Sequence, residues 1–292
     1  MLRTVYVNGE FVPENEAKIS IFDRGFLFAD GVYEVTAVLN GRLVDYHMHM
    51  ERLKRSLAEM NLKSPLKMDL DTSSNEDELL AMHRELVKRN NLTEGGVYMQ
   101  ISRAASDRDF TRPEDGASTL VAFTQPHNLL NAPGAITGER AIIVPDIRWA
   151  RRDIKTIALL PQTMAKQAAK EAGVSKAWMV GEDGYITEEA SSSAYIVKDN
   201  VLVTRPVTNT ILSGITRKAV MALLDQTDVT LDERPFTPEE AYSADEAIIT
   251  SASSFVMPIV EIDGKTIGTG KPGPVAQKLR GLYLETAIAD SI

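Results

Sequence analysis

Alternating apolar and polar residues mark most of the first 45 positions as β-strand. An Asn-Gly pair, a strong hairpin signal, stands between two alternating runs at Asn8-Gly9 and again at Asn40-Gly41. The period changes after these strands, because Met50, Leu53 and Leu57 recur at helical spacing. The beginning of the chain is therefore predicted to mix hairpins with at least one amphipathic helix.

The pattern continues in the same mixed style up to residue 125. A second helix is predicted from Glu76 to Arg89, after a Ser/Asn-rich stretch that suits helix capping. Two strands follow, in GGVYMQISRAA (95–105) and ASTLVAFTQ (117–125). Residues 1–125 are therefore predicted to form an N-terminal α+β domain.

The segment PHNLLNAPGA, residues 126–135, has two prolines, a glycine and little periodicity, so we expect it to link two domains. Residues 136–292 then form the second predicted domain. Its hairpins are expected at Asp183-Gly184, Asp199-Asn200 and Asp263-Gly264, and its helices near Pro161, from Ile215 to Leu224, and from Pro274 to Ala287.

Composition narrows the class of protein. The chain has 292 residues, a net charge of −9 and no cysteine. A chain with this acidic balance is not expected to bind mainly nucleic acid or an anionic membrane, because both require clustered Lys/Arg. No segment approaches the roughly 20 apolar residues of a membrane span. Without cysteine there are no disulfides and no thiolate chemistry, which is typical of a cytoplasmic protein.

Lys155 stands at the edge of an apolar run in RWARRDIKTIALLPQ, residues 148–162. A desolvated lysine amine has a lowered pKa and becomes a nucleophile or Schiff-base former near neutral pH. The alternative is a surface lysine whose methylenes cover the end of a strand. The segment after Lys155, TIALL, reads as buried chain.

Two further segments are candidates for binding an anion or a cation. In LSGITRKAV, Gly214 precedes a helix that begins at Ile215, and the free N–H groups there, with the Thr216 hydroxyl, form an anion site unless the helix is only an ordinary capped one. In TEEASSSA, Glu188 and Glu189 point to opposite sides of a strand, so at most one is expected to face a pocket and the other solvent; the alternative is a charged loop. A buried carboxylate needs a cationic partner.

The first domain offers a weaker set of candidates. Arg52 lies beside core Leu53 on the predicted helix and faces either a cleft or solvent. His47 and His49 lack a visible third ligand, so no metal site is predicted. The stretch FDRGFLFADGVYEV, residues 22–35, reads as a tightly shaped loop reaching a ligand, with Tyr33 either on the ligand face of a strand or in the core.

Taken together, these segments resemble the fold-type IV (class IV) pyridoxal 5′-phosphate (PLP) aminotransferases, and among them the D-amino acid aminotransferases. The resemblance runs from VNGEFVP to IVEIDGK and is densest at DRGFLFADGVYEV, HMERLKRS, RRDIKTIALLPQTMAKQAA, ITEEASSSAYIVKD and ILSGITRKAV. It implies a two-domain α/β (α+β) fold with a smaller N-terminal α+β domain. The larger C-terminal PLP-binding domain would be β-barrel-like with helices.

The resemblance also implies roles for individual residues. Lys155 matches the catalytic lysine that holds PLP as a Schiff base, and Glu188 matches the glutamate that pairs with the pyridine nitrogen. The other matched cofactor-binding residues are Arg52, Leu212, Gly214, Ile215 and Thr216, with Ala252 and Ser253 at the place of a phosphate-side threonine. Tyr33 and Arg108 match residues that hold the substrate carboxylate, with Phe110 two positions further on.

The implied activity is ping-pong transfer of an amino group from a D-amino acid such as D-alanine to a 2-oxo acid such as 2-oxoglutarate, by a homodimer. Three positions depart from the family pattern: Phe110 replaces a histidine, Ala252 a threonine, and Glu189 the glycine after the cofactor glutamate. Phe110 makes the carboxylate pocket less polar. This leaves room for an (R)-selective amine transaminase. A branched-chain L-amino acid aminotransferase is the other alternative, and a non-catalytic PLP-binding protein is disfavoured because Lys155 and Glu188 are both present.

Overall fold

The structure is a computed structural model that describes residues 2–65, 78–113 and 116–292. The chain divides into two compact units. Unit 1 comprises residues 1–128, 154–158 and 290–292, and unit 2 comprises residues 129–153 and 159–289. The segment around Lys155 thus belongs to unit 1, although it follows the predicted linker in sequence.

The helices and strands of the described residues are as follows. The helices are α1 (Arg24–Phe28), α2 (Tyr46–Glu59), α3 (Glu78–Arg89), α4 (Pro133–Thr137), α5 (Leu160–Glu171), α6 (Ile215–Ala222), α7 (Pro238–Tyr242) and α8 (Pro274–Ala289), with a 3-10 turn at Leu224–Gln226. The strands are β1 (Thr4–Val7), β2 (Glu10–Pro13), β3 (Gly31–Leu39), β4 (Arg42–Leu43), β5 (Glu94–Ser102), β6 (Thr119–Pro126), β7 (Glu139–Pro145), β8 (Lys176–Val180), β9 (Ile186–Glu189), β10 (Ser193–Lys198), β11 (Val201–Thr204), β12 (Thr230–Glu233), β13 (Glu246–Ser251), β14 (Phe255–Ile262) and β15 (Lys265–Thr266).

Unit 1 is built on a six-stranded sheet with the order β2-β1-β6-β5-β3-β4, in which every pair is antiparallel. Helices α2 and α3 bury their apolar stripes in one cluster with side chains of β5, such as Val97, Met99 and Ile101. The other sheet face stays half-exposed along β3 and β5, at Tyr33 and Tyr98. That face is the one available for a ligand.

The predicted Asn-Gly hairpins are confirmed. Asn8 and Gly9 have φ of 50° and 103°, and Asn40 and Gly41 have φ of 52° and 74°. These left-handed conformations match the strand twist and explain why Asn and Gly stand there. Strand β3 is therefore fixed at its far end by the tight turn into β4.

Unit 2 is built on a nine-stranded sheet with the path β12-β11-β10-β13-β14-β7-β8-β9, and β15 pairs with β14. Three of its pairings are parallel, namely β11 with β12, β14 with β7, and β7 with β8. A core cluster that includes Trp178, Ile196 and Ile249 fills its interior. The three hairpins predicted in this part of the chain are all present.

Several local predictions were wrong or lie outside the described residues. Residues 24–28 form helix α1 rather than a loop, because the Asp23 side chain accepts a hydrogen bond from the Gly25 N–H and caps the first turn. The TIALL stretch is only partly buried, since Leu160 is 71% exposed where α5 begins. The predicted start of the second helix at Glu76 lies outside the described residues, and within them α3 runs from Glu78 to Arg89. No helix among the described residues is long and apolar enough to cross a membrane.

Candidate active site

Lys155 lies on a short segment that runs along the edge of β3 in unit 1. The backbone N–H of Tyr33 donates to the Lys155 carbonyl at 3.0 Å, and Ile157 N–H donates to the Gly31 carbonyl at 3.1 Å. Val32 and Thr156 form an antiparallel bridge between these two bonds. The lysine is therefore held by sheet-like pairing rather than by a flexible loop.

The amine of Lys155 lies over the ring of Tyr33, with Nζ 4.2 Å from the ring centroid. It makes no hydrogen bond or ion pair with any residue of the described ranges. The Tyr33 ring in turn stacks on Tyr98 with centroids 5.5 Å apart, and Tyr98 stacks on Phe123 at 4.8 Å. A column of three rings on neighbouring strands thus supports the amine from one side.

Arg52 lies on α2 and its side chain is 8% exposed, so it does not face solvent, which was one of the two predicted orientations. Its guanidinium forms a two-pronged ion pair with Glu34 on β3, from Nε to Oε1 at 2.8 Å and from Nη2 to Oε2 at 2.7 Å. His49, one turn earlier on the same helix, contacts Glu34 Oε2 through Nδ1 at 2.8 Å. Sequence reasoning missed Glu34, because a glutamate on an alternating strand reads as solvent-facing.

The charge state of Glu34 follows from this triad. Burial alone would raise the pKa of the carboxyl, but the Arg52 guanidinium, with His49, lowers the pKa of Glu34 far below its ordinary value. The carboxylate therefore stays ionised and fixes the orientation of Arg52. A planar guanidinium fixed in this way is well suited to an anionic ligand.

Glu188 lies on β9 in unit 2 and is buried. Its Oε2 accepts from Arg148 Nη1 at 2.7 Å and from the backbone N–H of Leu212 at 3.2 Å. Its Oε1 has no hydrogen-bond partner among the described residues. One carboxylate oxygen is thus bound by the protein while the other remains available as an acceptor.

Arg148 is itself fixed by Asp146, which accepts hydrogen bonds from Arg148 Nε at 3.0 Å and from Nη2 at 2.8 Å. Thr187 Oγ1 donates to the same Asp146 at 2.7 Å. Burial raises the pKa of Glu188, and Arg148 only partly opposes this. A second cationic hydrogen-bond donor on Oε1 would lower the pKa of Glu188 again. Sequence reasoning missed Arg148, since it stands among four basic residues of one short segment.

The helix α6 begins directly after the predicted anion-binding glycine. Gly214 is its N-cap residue and offers no side-chain cap to the first-turn N–H groups, while Ile215 and Thr216 are buried in that turn. A Cβ added at Gly214 would come within 2.8 Å of Ser193 Oγ. The close approach of these two elements explains the glycine and leaves the helix N-terminus able to bind an anion.

Ala252 and Ser253 lie in the turn between β13 and β14, which is tied by Ser251 Oγ to Ser254 Oγ at 2.7 Å and to Ser253 Oγ at 3.3 Å. Serines thus stand on both sides of Ala252 in the chain, at Ser251 and Ser253. The structure gives Ala252 no polar contact of its own, since its side chain is a methyl group.

Arg108 and Phe110 lie in the loop between β5 and β6 of unit 1. The Arg108 guanidinium carbon is 5.4 Å from the centroid of the Phe110 ring and 5.4 Å from that of Phe28 on α1. The two rings contact each other at 5.5 Å. Phe110 is 80% exposed, so the departure from the family pattern produces an aromatic support for Arg108 on the surface of the unit.

The expectation that Glu189 faces solvent was wrong. Glu189 is 1% exposed and pairs with Lys166 of α5, while its Oε2 accepts from the N–H of Ser191 at 2.9 Å. The Glu189 side chain thus lies beside α5 and is paired with Lys166, at the position where the family pattern given above has glycine. Both glutamates of the TEEA stretch are therefore buried, on opposite faces of β9, and each has its own cationic partner.

His47 and His49 do not form a metal site. They lie on helix α2, where His47 is exposed and His49 is buried against Glu34. Within residues 2–65, 78–113 and 116–292, no group of three or more His, Cys, Asp or Glu side chains is placed to hold a metal ion.

The residues present fit PLP. The aldehyde of PLP requires an amine without a competing ion pair, which Lys155 supplies. Its ring nitrogen requires a carboxylate oxygen with spare acceptor capacity, which Glu188 Oε1 supplies. Its phosphate is suited to N–H donors at a helix start, which unit 2 offers in α6, and to a fixed guanidinium, which unit 1 offers in Arg52.

Comparison with known proteins agrees with this chemistry. The family model for amino-transferase class IV matches residues 31–262. The D-alanine aminotransferase of Staphylococcus haemolyticus is 37% identical over 281 residues, covering 94% of this chain and 95% of the relative. That of Bacillus licheniformis is 38% identical over 288 residues, covering 99% and 96%.

Solved structures show the same fold. The Escherichia coli branched-chain amino acid aminotransferase superposes with a TM-score of 0.88 at 23% identity, covering 98% of this chain and 95% of that one. The branched-chain aminotransferase of the archaeon Thermoproteus uzoniensis, solved with norvaline, gives 0.85 at 26%, covering 99% and 96%. The two-part α/β fold predicted from the sequence is therefore confirmed, and the chain belongs to the class IV aminotransferases, which are PLP-dependent enzymes.

Proposed function

We propose that the protein is a D-amino acid transaminase that moves the amino group of D-alanine to 2-oxoglutarate. The observation that carries the proposal is the identity of 37–38% to D-alanine aminotransferases over nearly the full length of both chains. The structural neighbours named as branched-chain enzymes are more distant in sequence, at 23% and 26%. The D-amino acid reading is therefore preferred to the branched-chain one.

In this proposal the protein groups divide the work on the cofactor, which supplies an aldehyde for the amine and a ring that accepts electrons. Lys155 Nζ would hold the aldehyde, and as a free amine it would take up the proton that leaves the donor Cα. Glu188 Oε1 would accept a hydrogen bond from the protonated ring nitrogen and keep that nitrogen charged. Arg148 holds Glu188 in place for this role.

The other residues proposed to bind the cofactor contact its phosphate and its ring. Arg52, oriented by Glu34, and the first turn of α6 at Ile215 and Thr216 bind the phosphate, and Gly214 lets it approach the backbone. The Leu212 side chain packs against the ring. The hydroxyl of Ser253 takes the role of the threonine that Ala252 replaces.

The substrate side is proposed to consist of Tyr33, Arg108 and Phe110. A guanidinium binds a carboxylate through two parallel hydrogen bonds, and Arg108 retains the free geometry for this because its side-chain contacts among the described residues are with aromatic rings. Phe110 contributes a ring in place of a donor. The carboxylate pocket is therefore expected to rely more on Arg108 than a pocket that keeps a histidine at this place.

The proposal includes a homodimer and a cytoplasmic enzyme. Support for the dimer comes from large apolar side chains that a single chain leaves exposed in unit 1: Ile21 is 69%, Phe26 70% and Phe110 80% exposed. Aromatic side chains are enriched at protein interfaces. Light scattering coupled to size-exclusion chromatography checks the dimer, and a monomer at micromolar concentration would contradict it.

The activity is tested by single half-reactions of the PLP-loaded protein. D-alanine, L-leucine and (R)-1-phenylethylamine are added separately, and loss of the visible absorbance of bound PLP is followed by stopped flow. The proposal expects D-alanine to react with the highest kcat/KM. A higher kcat/KM for L-leucine would identify a branched-chain aminotransferase instead. A higher kcat/KM for (R)-1-phenylethylamine would identify an (R)-selective amine transaminase, the alternative that Phe110 suggests.

A further inference from the structure

Helix α1 connects the loop that bears Arg108 and Phe110 to the start of strand β3. The connecting side chain is Arg24, which is 4% exposed although it belongs to a five-residue helix near the surface. A buried guanidinium requires partners for its N–H groups, and its partners here identify what it holds.

Arg24 uses both sides of its guanidinium. Its Nη1 donates to the carbonyl of Asp109 at 2.6 Å and to that of Thr111 at 3.1 Å, which are the carbonyls on either side of Phe110. Its Nε donates to Asp30 Oδ2 at 3.0 Å, directly before β3. The tip of the loop is thus tied to the strand that carries Tyr33.

The same side chain also supports the loop through an aromatic ring. The guanidinium carbon of Arg24 lies 4.6 Å from the centroid of Phe28, and the Phe28 ring contacts both Phe110 and Arg108. The turn is closed locally, because Asp109 Oδ1 accepts from the N–H and the hydroxyl of Thr111, each at 2.7 Å. A compact turn anchored at two backbone carbonyls moves as one body with its anchor.

Arg103 provides an internal comparison. It stands at the base of the same loop, directly after β5, and donates to the same Asp30 Oδ2 at 2.9 Å, but its other donors reach the carbonyls of Met60 and Asn61 instead of the 109–111 turn. The two arginines therefore share one carboxylate and differ in the segment they tie to it.

We propose that Arg24 is a positioning residue for substrate recognition, which acts through the 109–111 turn and Phe28 to hold Arg108 where it binds the carboxylate of the donor. The proposal rests on the proposed function only in the role of Arg108. Arg24 then contributes to the choice between donors that carry a carboxylate and donors that lack one.

The test compares Arg24→Met and Arg24→Lys with Arg103→Met in the PLP-loaded protein. The donors are D-alanine and (R)-1-phenylethylamine, which lacks a carboxylate. A loop displaced by about 1 Å costs roughly 10²-fold in rate, so Arg24→Met should lower kcat/KM for D-alanine by that factor, mainly through KM, and leave the amine within about threefold. Arg24→Lys, which keeps the charge and part of the hydrogen bonding, should recover part of the loss.

A second readout does not depend on the substrate. Trypsin cleaves after Arg108, and Arg24→Met should accelerate cleavage there by roughly tenfold, the factor for a loss of about 1.4 kcal/mol of local stability. Arg103→Met should not change it. Phe28→Leu, at a half-buried position, replaces the arginine variants if they fail to fold, and should raise the KM of D-alanine with little effect on the amine.

The outcomes separate the two proposals. If the wild-type protein does not use D-alanine, the proposed function fails, and the trypsin comparison still decides whether Arg24 holds the loop. Equal losses for both donors, or a cleavage rate at Arg108 that Arg24→Met and Phe28→Leu leave unchanged, would overturn the positioning role.

Discussion

Replacing Glu34 tests whether the buried triad on β3 and α2 is what fixes Arg52. The Glu34 side chain is fully buried and Arg52 is 8% exposed, and the pair is joined by two hydrogen bonds of 2.7–2.8 Å. Glu34→Ala would leave a guanidinium in the interior with its main partner removed. Glu34→Gln keeps the shape but removes the negative charge.

The expected magnitude follows from the burial. Breaking a buried ion pair by removing one partner costs about 3–5 kcal/mol, because the other charge remains uncompensated. We expect a loss of this size in the free energy of unfolding for Glu34→Ala, and a smaller one for Glu34→Gln. Glu14 provides the matched control, since it also binds an arginine, Arg3, at 2.8 Å but on the surface, and Glu14→Ala should have no measurable effect.

The same pair predicts a pH dependence. The pKa of Glu34 is lowered in the folded protein from its ordinary value of 4.5, so its stabilisation is fully present above that pH. It is lost as pH falls below about 4.5 toward the folded-state pKa, because the unfolded chain takes up the proton first. The wild-type protein should lose stability over this range, and Glu34→Gln should show a shallower slope.

The assay is urea unfolding followed by far-UV circular dichroism between pH 3 and pH 7, together with the dissociation constant of PLP from absorbance titration. Loss of orientation at Arg52 should weaken PLP binding by about tenfold, equivalent to about 1.4 kcal/mol. The reasoning is refuted if Glu34→Ala and Glu14→Ala have the same unfolding free energy and the same affinity for PLP.

Three further substitutions test other parts of the site. Lys155→Ala should abolish the visible absorbance of bound PLP. Borohydride reduction of the wild-type protein should attach PLP to Lys155, as detected by peptide mass spectrometry. A label on another lysine would contradict the assignment. Glu188→Gln should lower kcat by about 10²–10³-fold in steady-state assays. The free energy of unfolding should stay near the wild-type value, because Arg148 still pairs with Asp146. An unchanged kcat would contradict the role of Glu188. Gly214→Ala brings a Cβ within 2.8 Å of Ser193 Oγ, so the PLP dissociation constant from an absorbance titration should rise by about tenfold. Adding Ser193→Ala should restore the affinity. Without this recovery, the close contact with Ser193 would not be the reason for the glycine.

Elements with a strong local signal were predictable from the sequence. The hairpins at Asn8-Gly9 and Asp199-Asn200 follow from residues that adopt positive φ, and all four have it. Helices α5 and α8 begin where proline allows a first turn. Helix α1 was missed because it has only five residues, and a single cap from Asp23 decides it.

Tertiary pairing was much harder to predict. Glu189 reads as exposed, and only the position of Lys166 on α5 shows why it is buried. Arg24 and Glu34 read as ordinary charges, since their partners lie 85 and 18 positions away in sequence. Chemistry within one segment can be inferred from its residues, whereas buried ion pairs depend on which distant segments the fold brings together.

Product analysis tests the central claim most directly. The purified, PLP-loaded protein is incubated with D-alanine and 2-oxoglutarate, and pyruvate and the configuration of the glutamate formed are measured by chiral chromatography. We expect equal amounts of pyruvate and D-glutamate. Formation of L-glutamate, with L-leucine preferred as the donor, would contradict the D-amino acid assignment.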